Sequence, residues 1–571
     1  MPGVFDLPQR AWEGPSKLLE RVRPDRLAAG VERQLFTTRV LVDTGFIAPM
    51  RPDKIARIVR MLQRWGFTPA SAIAVSAMRY PHAAAIVDDL GTLTFDELHR
   101  RTNALARALR KDGIGAKDNV AVMARNHRYF IEATVALSKL GANTLYLNTA
   151  FAAPQIAEVV KHEKATALIY DSEFRGLFSE AKKKRRRYIA WEGDGKGRGM
   201  TLESMIAGGD PRELAKAPAE PGRVVILTSG TTGAPKGAGR SQPKNLDPAA
   251  SLLSVIPLRA RDRTLIAAPL FHSWGFAHFS LGLLLSSTYI LQRKFDPEQT
   301  LAAIDKNKPT VLVVVPVMLQ RIMHLPAQVR KRYDTSSLRV VAVSGSALPG
   351  ELAGAFMDEF GDILYNLYGS TEVAWASIAT PADLRSAPGT AGRAPRGTVI
   401  RMFDDQDQEV GAGDTGRIFV SNEFLFEGYT GGGGKASIEG LLSTGDVGHM
   451  DHRGRLFVEG RDDEMVVSGG ENVFPAEVED LISKHAGVAE VAVIGVRDAD
   501  YGQRLKAFVV PKKGRKPDEE ELKAYVKSNL ARFKVPRDIE FLEELPRNST
   551  GKILKRHLVE AEAGNGAKPA G

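Results

Sequence analysis

Short apolar runs recur along most of this chain, separated by stretches of helical length. Ala84-Ala-Ile-Val87, Val120-Ala-Val-Met123, Thr144-Leu-Tyr-Leu147, Ala167-Leu-Ile-Tyr170, Val224-Val-Ile-Leu227, Val311–Val315 and Val340–Val343 read as strands. Their apolarity is continuous rather than alternating. That predicts strands covered on both faces, hence largely parallel sheets under helices. Helix starts are marked locally: Thr94 followed by Glu97 forms a capping box, and a helix is expected near Tyr129–Leu140.

The texture changes after Arg385. Glycine clusters at 392–397, 411–416 and 431–434 punctuate short strands and predict a small β-rich subdomain. Beyond Asp463 a compact α+β pattern follows: a helix at Ala476–His485, strands at Val488–Ile494 and Lys506–Val510, and a helix at Glu519–Leu530. The expected organisation is an N-terminal extension at 1–80, a large domain at 81–462, a small C-terminal domain at 463–560 and a disordered tail at 561–571. Within the extension, Ile55, Ile58, Val59, Leu62 and Trp65 fall at helical spacing, with Lys54, Arg57, Arg60 and Arg64 between them. This basic amphipathic helix is expected to dock on its own domain, with contact at an anionic membrane surface as the alternative.

At 571 residues the chain exceeds what one core organises. It has no cysteine, which excludes disulfides, thiolate metal sites and cysteine nucleophiles and fits a reducing compartment. The net charge of +10 raises the weight of an anionic partner. The dense run Lys182-Lys-Lys-Arg-Arg-Arg187 reads as a solvated loop. It lacks the interleaved aromatics of a nucleic-acid surface, so no nucleic acid is expected. No signal peptide is visible at the N-terminus. The charge-free stretch Leu265–Gln292 carries Pro269, two histidines and several hydroxyls, and reads as a buried strand–loop–helix rather than a span.

The most specific feature is Thr228-Ser-Gly-Thr-Thr-Gly-Ala-Pro-Lys-Gly237, directly after an apolar strand. Thr228, Ser229, Gly230, Thr231, Thr232 and Gly233 supply backbone amides and hydroxyls suited to a nucleotide phosphate. Lys236 is followed by Gly237, so the loop is not a Walker A motif. Three further stretches accompany it: Tyr365-Asn-Leu-Tyr-Gly-Ser-Thr-Glu372, Ser443-Thr-Gly-Asp446 with Gly460-Arg461, and Leu545-Pro-Arg-Asn-Ser-Thr-Gly-Lys-Ile-Leu-Lys555.

Together these motifs resemble the adenylate-forming superfamily, over roughly residues 80–556, and within it the bacterial fatty-acid–CoA ligases. The resemblance implies two steps: an acid attacks the α-phosphate of ATP, and the acyl-adenylate is then taken by CoA. It implies that Tyr368 and Gly369 hold adenine, that Thr371 contacts the α-phosphate, and that Glu372 holds Mg2+. Asp446 and Arg461 would hold the ribose and phosphates, with Lys236 nearer the outer phosphates. Lys552 would be the catalytic lysine and Asp463 the hinge of a mobile C-terminal domain. Ser468, Gly469 and Gly470 would line the CoA channel. Ser346 and Ala347 would lie beside adenine, with Gly345, His272 and Trp274 at the acid pocket. The implied partners are a fatty acid and CoA. Loading of a carrier protein and an aryl- or bile-acid-type substrate are the alternatives. A cytoplasmic location is expected, with peripheral contact at the inner membrane surface as the alternative, and a homodimer is compatible with this reading. Two departures stand out: Gly237-Ala-Gly-Arg240 where bulkier β-branched residues are common, and Glu439-Gly-Leu-Leu442 where a tryptophan is common.

Overall fold

A computed structural model describes residues 24–181, 185–193, 199–229, 235–240, 245–346, 348–404, 406–426, 428–430, 432–461, 466–468, 471–473, 475–498, 500–512, 514–515, 517–546 and 555–565. Two large sheets organise the first two thirds. One runs in the order Ser377–Ala379, Leu364–Tyr368, Val340–Val343, Val311–Val314, Arg263–Ile266, Thr288–Leu291, Ala84–Asp88, Gly91–Thr94. The other runs Met200–Thr201, Arg186–Ile189, Ala167–Tyr170, Asn119–Met123, Asn143–Tyr146, Val224–Ser229, Pro235–Arg240. Pairing is parallel throughout except at three outer strands, Gly91–Thr94, Ser377–Ala379 and Pro235–Arg240. The inner strands explain the unbroken apolar runs: Ala167–Tyr170, Thr288–Leu291, Val311–Val314 and Val340–Val343 are buried at every position.

The sheets share one core. It joins Val120, Val122 and Ile169 from one sheet with Ile86, Ile266, Tyr289 and Val313 from the other, and fills with the helices Arg128–Leu140 and Ser273–Leu284. The first of these helices is buried on nearly all sides. It carries Lys139 into the interior, where Nζ donates to Thr102 Oγ1 at 2.7 Å, Asn103 Oδ1 at 2.6 Å and the His99 carbonyl at 3.2 Å. The helix Phe95–Lys111 starts at the Thr94–Glu97 capping box that the sequence marks.

A five-stranded antiparallel sheet follows, built from Val399–Phe403, Gly416–Ser421, Ser437–Ile438, Leu441–Met450 and Leu456–Arg461. The C-terminal unit sets Glu471–Val473, Val466–Ser468, Gly502–Pro511 and Val488–Asp498 side by side, with Asp538–Phe541 parallel to Gly502–Pro511. The architecture is therefore α/β with two helix-covered parallel sheets, a small β-rich subdomain and a small α+β C-terminal unit.

Two expectations change. Arg186 and Arg187 are not in a loop: they open the strand Arg186–Ile189. Both side chains stay exposed, and Arg187 donates to the Phe178 carbonyl at 3.2 Å. The stretch from 561 is not disordered from its start, since the helix Lys555–Asn565 runs through it. Leu558 anchors that helix in a cluster with Ala492, Ile494 and Phe508.

Candidate active site

The strand Leu364–Tyr368 delivers Tyr368 and then turns sharply at Gly369. A Cβ there would stand 2.4 Å from the Ala374 carbonyl oxygen and 2.7 Å from Trp375 Cα, so only glycine permits the turn. Tyr368 Oη donates to Asp446 Oδ2 at 2.6 Å, joining two motifs 78 residues apart. Asp446 is buried on the strand Leu441–Met450, and its backbone faces Arg461 across the ladder. Its own turn is tied by the Asp446 N–H, which donates to Thr444 Oγ1 at 3.1 Å.

Glu372 is buried, and its Oε1 accepts from Tyr429 Oη at 2.9 Å. The neighbouring Thr371 hydroxyl lies 3.1 Å from Ser273 Oγ, at the start of the helix Ser273–Leu284. The phosphate-loop strand Val224–Ser229 pairs with Pro235–Arg240, bringing Thr228 opposite Lys236. That hairpin leans on the Tyr429 segment, for the Gly237 carbonyl accepts from the Thr430 N–H at 2.8 Å. A Cβ on Gly237 would lie 2.7 Å from Thr430 Oγ1 and 2.6 Å from Val225 Cγ1. The motif's last glycine therefore leaves room that Thr430 and Val225 fill.

On the acid side, Trp274 is buried with Nε1 donating to the Val314 carbonyl at 3.0 Å. Gly345 has φ of 105° after the strand Val340–Val343, beside Val315 and ahead of the half-buried Ser346. His278, one turn beyond Trp274, meets its ring edge-on at 4.5 Å. Burial holds its imidazole down to about 3, so it is neutral.

The C-terminal unit reaches this cleft. Ser468 is buried and pairs with Glu471 in a tight hairpin. Glu471 Oε1 lies 2.8 Å from His272 Nε2, and both carboxylate oxygens accept from Asn148 Nδ2 at 3.3 Å. Burial alone would raise the Glu471 carboxyl, but His272, Asn148 and the buried Lys534 outweigh it and hold it below its usual range. Burial alone would lower His272, but the carboxylate prevails and raises it. The same seam includes Ala531, fully buried, and Phe533 in a cluster with Phe151, Ile156 and Val225. Farther along, Arg321 donates to Tyr501 Oη at 3.0 Å.

Gly230, Thr231, Thr232, Gly233, Ala347, Asp463, Gly469, Gly470 and Lys552 lie outside the described residues. Thr228, Ser229, Lys236 and Arg461 are described by their strand backbone only. Of the remaining expected residues, Tyr368 meets Asp446, Thr371 lies against Ser273, Glu372 meets Tyr429 and His272 meets Glu471, while the contacts described do not tie Gly345 or Ser346 to these pairs.

Residues 73–430 match the family of AMP-binding enzymes, and residues 477–552 match the AMP-binding enzyme C-terminal domain. The chain belongs to the adenylate-forming AMP-binding enzymes. A Rhodococcus jostii 3-[(3aS,4S,7aS)-7a-methyl-1,5-dioxo-octahydro-1H-inden-4-yl]propanoyl:CoA ligase is 32% identical over 86% of this AMP-binding enzyme and 98% of that protein. An Amycolatopsis feruloyl-CoA synthase is 34% identical over 83% and 95%. Among solved structures, a Bacillus subtilis o-succinylbenzoate CoA synthetase double mutant bound with its product analogue OSB-NCoA superposes with a TM-score of 0.75, at 25% identity, over 86% and 98% of the two chains. The same synthetase with the acyl-adenylate OSB-AMP superposes with a TM-score of 0.61, at 25% identity, over 85% and 97%.

Three participants of this AMP-binding enzyme's cleft escaped sequence reasoning: Asn148, Tyr429 and Lys534. Tyr429 stands 57 residues from its partner Glu372, with no local signal. Lys534 had one, a lone cation in the apolar-flanked Phe533-Lys-Val-Pro536.

Proposed function

We propose that this enzyme activates an apolar carboxylic acid with ATP and passes the acyl-adenylate to CoA, releasing pyrophosphate and AMP. The observation that carries the reading is Glu471 of the C-terminal unit seated on His272, in the cleft that also holds Tyr368–Asp446 and Glu372–Tyr429. Tyr368 offers a ring face for adenine, and the Asp446 carboxylate can accept from ribose hydroxyls. Two anions meet when the carboxylate approaches the α-phosphate, so donors fixed around Thr228–Gly237 and the Lys552 ammonium lower the barrier. Neither step needs a protein nucleophile.

The residues present suit Mg2+ in the form this chemistry takes. Among the described residues no three carboxylates or histidines cluster. Glu372 is a single buried carboxylate whose Oε2 receives no hydrogen bond from a described residue. One carboxylate plus substrate phosphates is the usual magnesium environment. When bound, the ion would neutralise charge on those phosphates; the protein's part is to hold Glu372 through Tyr429.

The higher similarity to the synthetase with its CoA product analogue than to the same synthetase with the adenylate supports a C-terminal unit arranged for thiol transfer. For the acid, a medium- to long-chain fatty acid fits the charge-free wall from Leu265 to Gln292. A ring-bearing acid is the second reading, favoured by the aromatic edge of Trp274 and His278 and by the ring substrates named for the Rhodococcus and Amycolatopsis enzymes. Acid-dependent pyrophosphate release, with and without CoA, across fatty acids and aryl acids tests both. Acyl-CoA from either class is expected. Release of no pyrophosphate with any acid would overturn the reading, and acyl-adenylate that CoA never discharges would overturn its second half.

A further inference from the structure

The helices Pro24–Asp43 and Pro52–Trp65 precede residue 73, where the match to AMP-binding enzymes begins. The first packs on the helix Asp247–Leu253 and the second on the helix Pro69–Arg79, so each has an inner and an outer side. The inner face is anchored: Thr37 Oγ1 donates to Asp247 Oδ1 at 2.5 Å, Arg396 pairs with Glu32 at 2.7 Å, and Val40 and Trp65 enter the main core. The outer face is apolar where nothing in the described chain covers it. Val31, Leu35, Val42, Ile55 and Val59 are each between 45% and 65% exposed. Val31, Leu35 and Val42 recur at intervals of four and seven, which sets them in one stripe along the first helix.

The charge of this face selects among occupants. From Arg51 to Arg64 five basic residues stand against one acidic residue, Asp53. Arg57 and Arg60 are exposed and meet no carboxylate among the described residues. Arg39 stands 84% exposed beside the apolar stripe, with the Asp43 carboxylate 3.8 Å away. A second copy of this chain would bring like charge against like charge. A flat surface offering negative headgroups above an apolar layer satisfies both halves of the pattern. Among the described residues no helix is long and apolar enough to cross a membrane, so the contact lies in the plane of the surface.

We propose that these two helices dock the enzyme on an anionic lipid surface, with Val31, Leu35 and Val59 entering the headgroup boundary and Arg57 and Arg60 meeting lipid phosphates. The test is flotation of the full chain with phosphatidylcholine vesicles, with and without phosphatidylglycerol, at low and high salt. Binding is expected only with the anionic lipid, falling as salt rises. Two surface variants, V31S/L35S and R57E/R60E, should each lower partitioning about tenfold or more. Circular dichroism and pyrophosphate release with a water-soluble acid should stay as in the parent, because neither pair touches the cleft. Failure to float with anionic vesicles would overturn the proposal, as would equal binding to neutral ones or variants that float like the parent. A parent dimer that both variants convert to monomer, with flotation unchanged, would overturn it in favour of a second copy.

Discussion

Replacing Glu471 with glutamine keeps its shape and removes its charge. In the docked arrangement that carboxylate faces His272 Nε2 at 2.8 Å and takes two longer bonds from Asn148. A hydrogen bond between charged groups is worth about 1.5–3 kcal/mol. The two side chains keep 30% and 24% of their surface exposed, so solvent screening trims the figure to about 1–2 kcal/mol. At about 1.4 kcal/mol per decade, the docked population in Glu471→Gln drops about 5- to 30-fold. The assay is single-turnover thioester formation from supplied acyl-adenylate and CoA, set beside acid-dependent pyrophosphate release. The first should fall by that factor and the second should hold. The pH dependence gives an independent reading. His272 is raised by its partner, so the ion pair is fully present below the ordinary histidine value and is lost as pH rises through the raised one. The parent-to-variant ratio of thioester rates should therefore shrink toward one at alkaline pH. An equal fall in both half-reactions would refute the reasoning, as would a ratio that does not change with pH.

Lys552→Ala should lower adenylate formation about 10²–10³-fold while sparing thioester formation from supplied adenylate, measured in the same two assays. Asp463→Pro should do the reverse, slowing CoA transfer and leaving pyrophosphate release near the parent rate. Gly237→Val drives a branched side chain into Thr430 and Val225 and should destabilise the fold by about 1–3 kcal/mol in denaturant melts, with partial recovery in Gly237→Val/Thr430→Gly. His99 and His278 are both held down to about 3 by burial, so their stabilising contribution is complete above the ordinary histidine value and is lost as pH falls from there toward 3. Thermal unfolding between neutral pH and pH about 4 should show this slope, and His278→Phe should flatten it.

The parallel core was legible because inner strands such as Val311–Val314 are buried on both faces and must be apolar at every position. The capping box at Thr94 was legible because it is built within four residues. Arg186 and Arg187 were read as loop because charge hides strand propensity when the cation folds back onto a backbone carbonyl, as Arg187 does. In the cleft, Tyr368, Glu372 and Asp446 were legible because their stretches resemble the motifs of the adenylate-forming superfamily. Tyr429, which supports Glu372, and Asn148, which supports Glu471, were not, because their partners come from other elements and no short-range pattern encodes such meetings. Gly237 was legible as the end of the phosphate-loop motif, but its close approach to Thr430 needed three dimensions.

Among the described residues, two apolar side chains of the C-terminal unit pack into a cluster of the large domain: Ala531, wholly covered, and Phe533, partly so. Shedding contacts of that size costs about 2–3 kcal/mol. The mobile C-terminal unit that the family resemblance implies would meet only a small barrier at this contact. Enlarging Ala531 to leucine would therefore touch neither chemical step directly, yet by overfilling or over-cementing the joint it would bias how long the enzyme dwells in each posture.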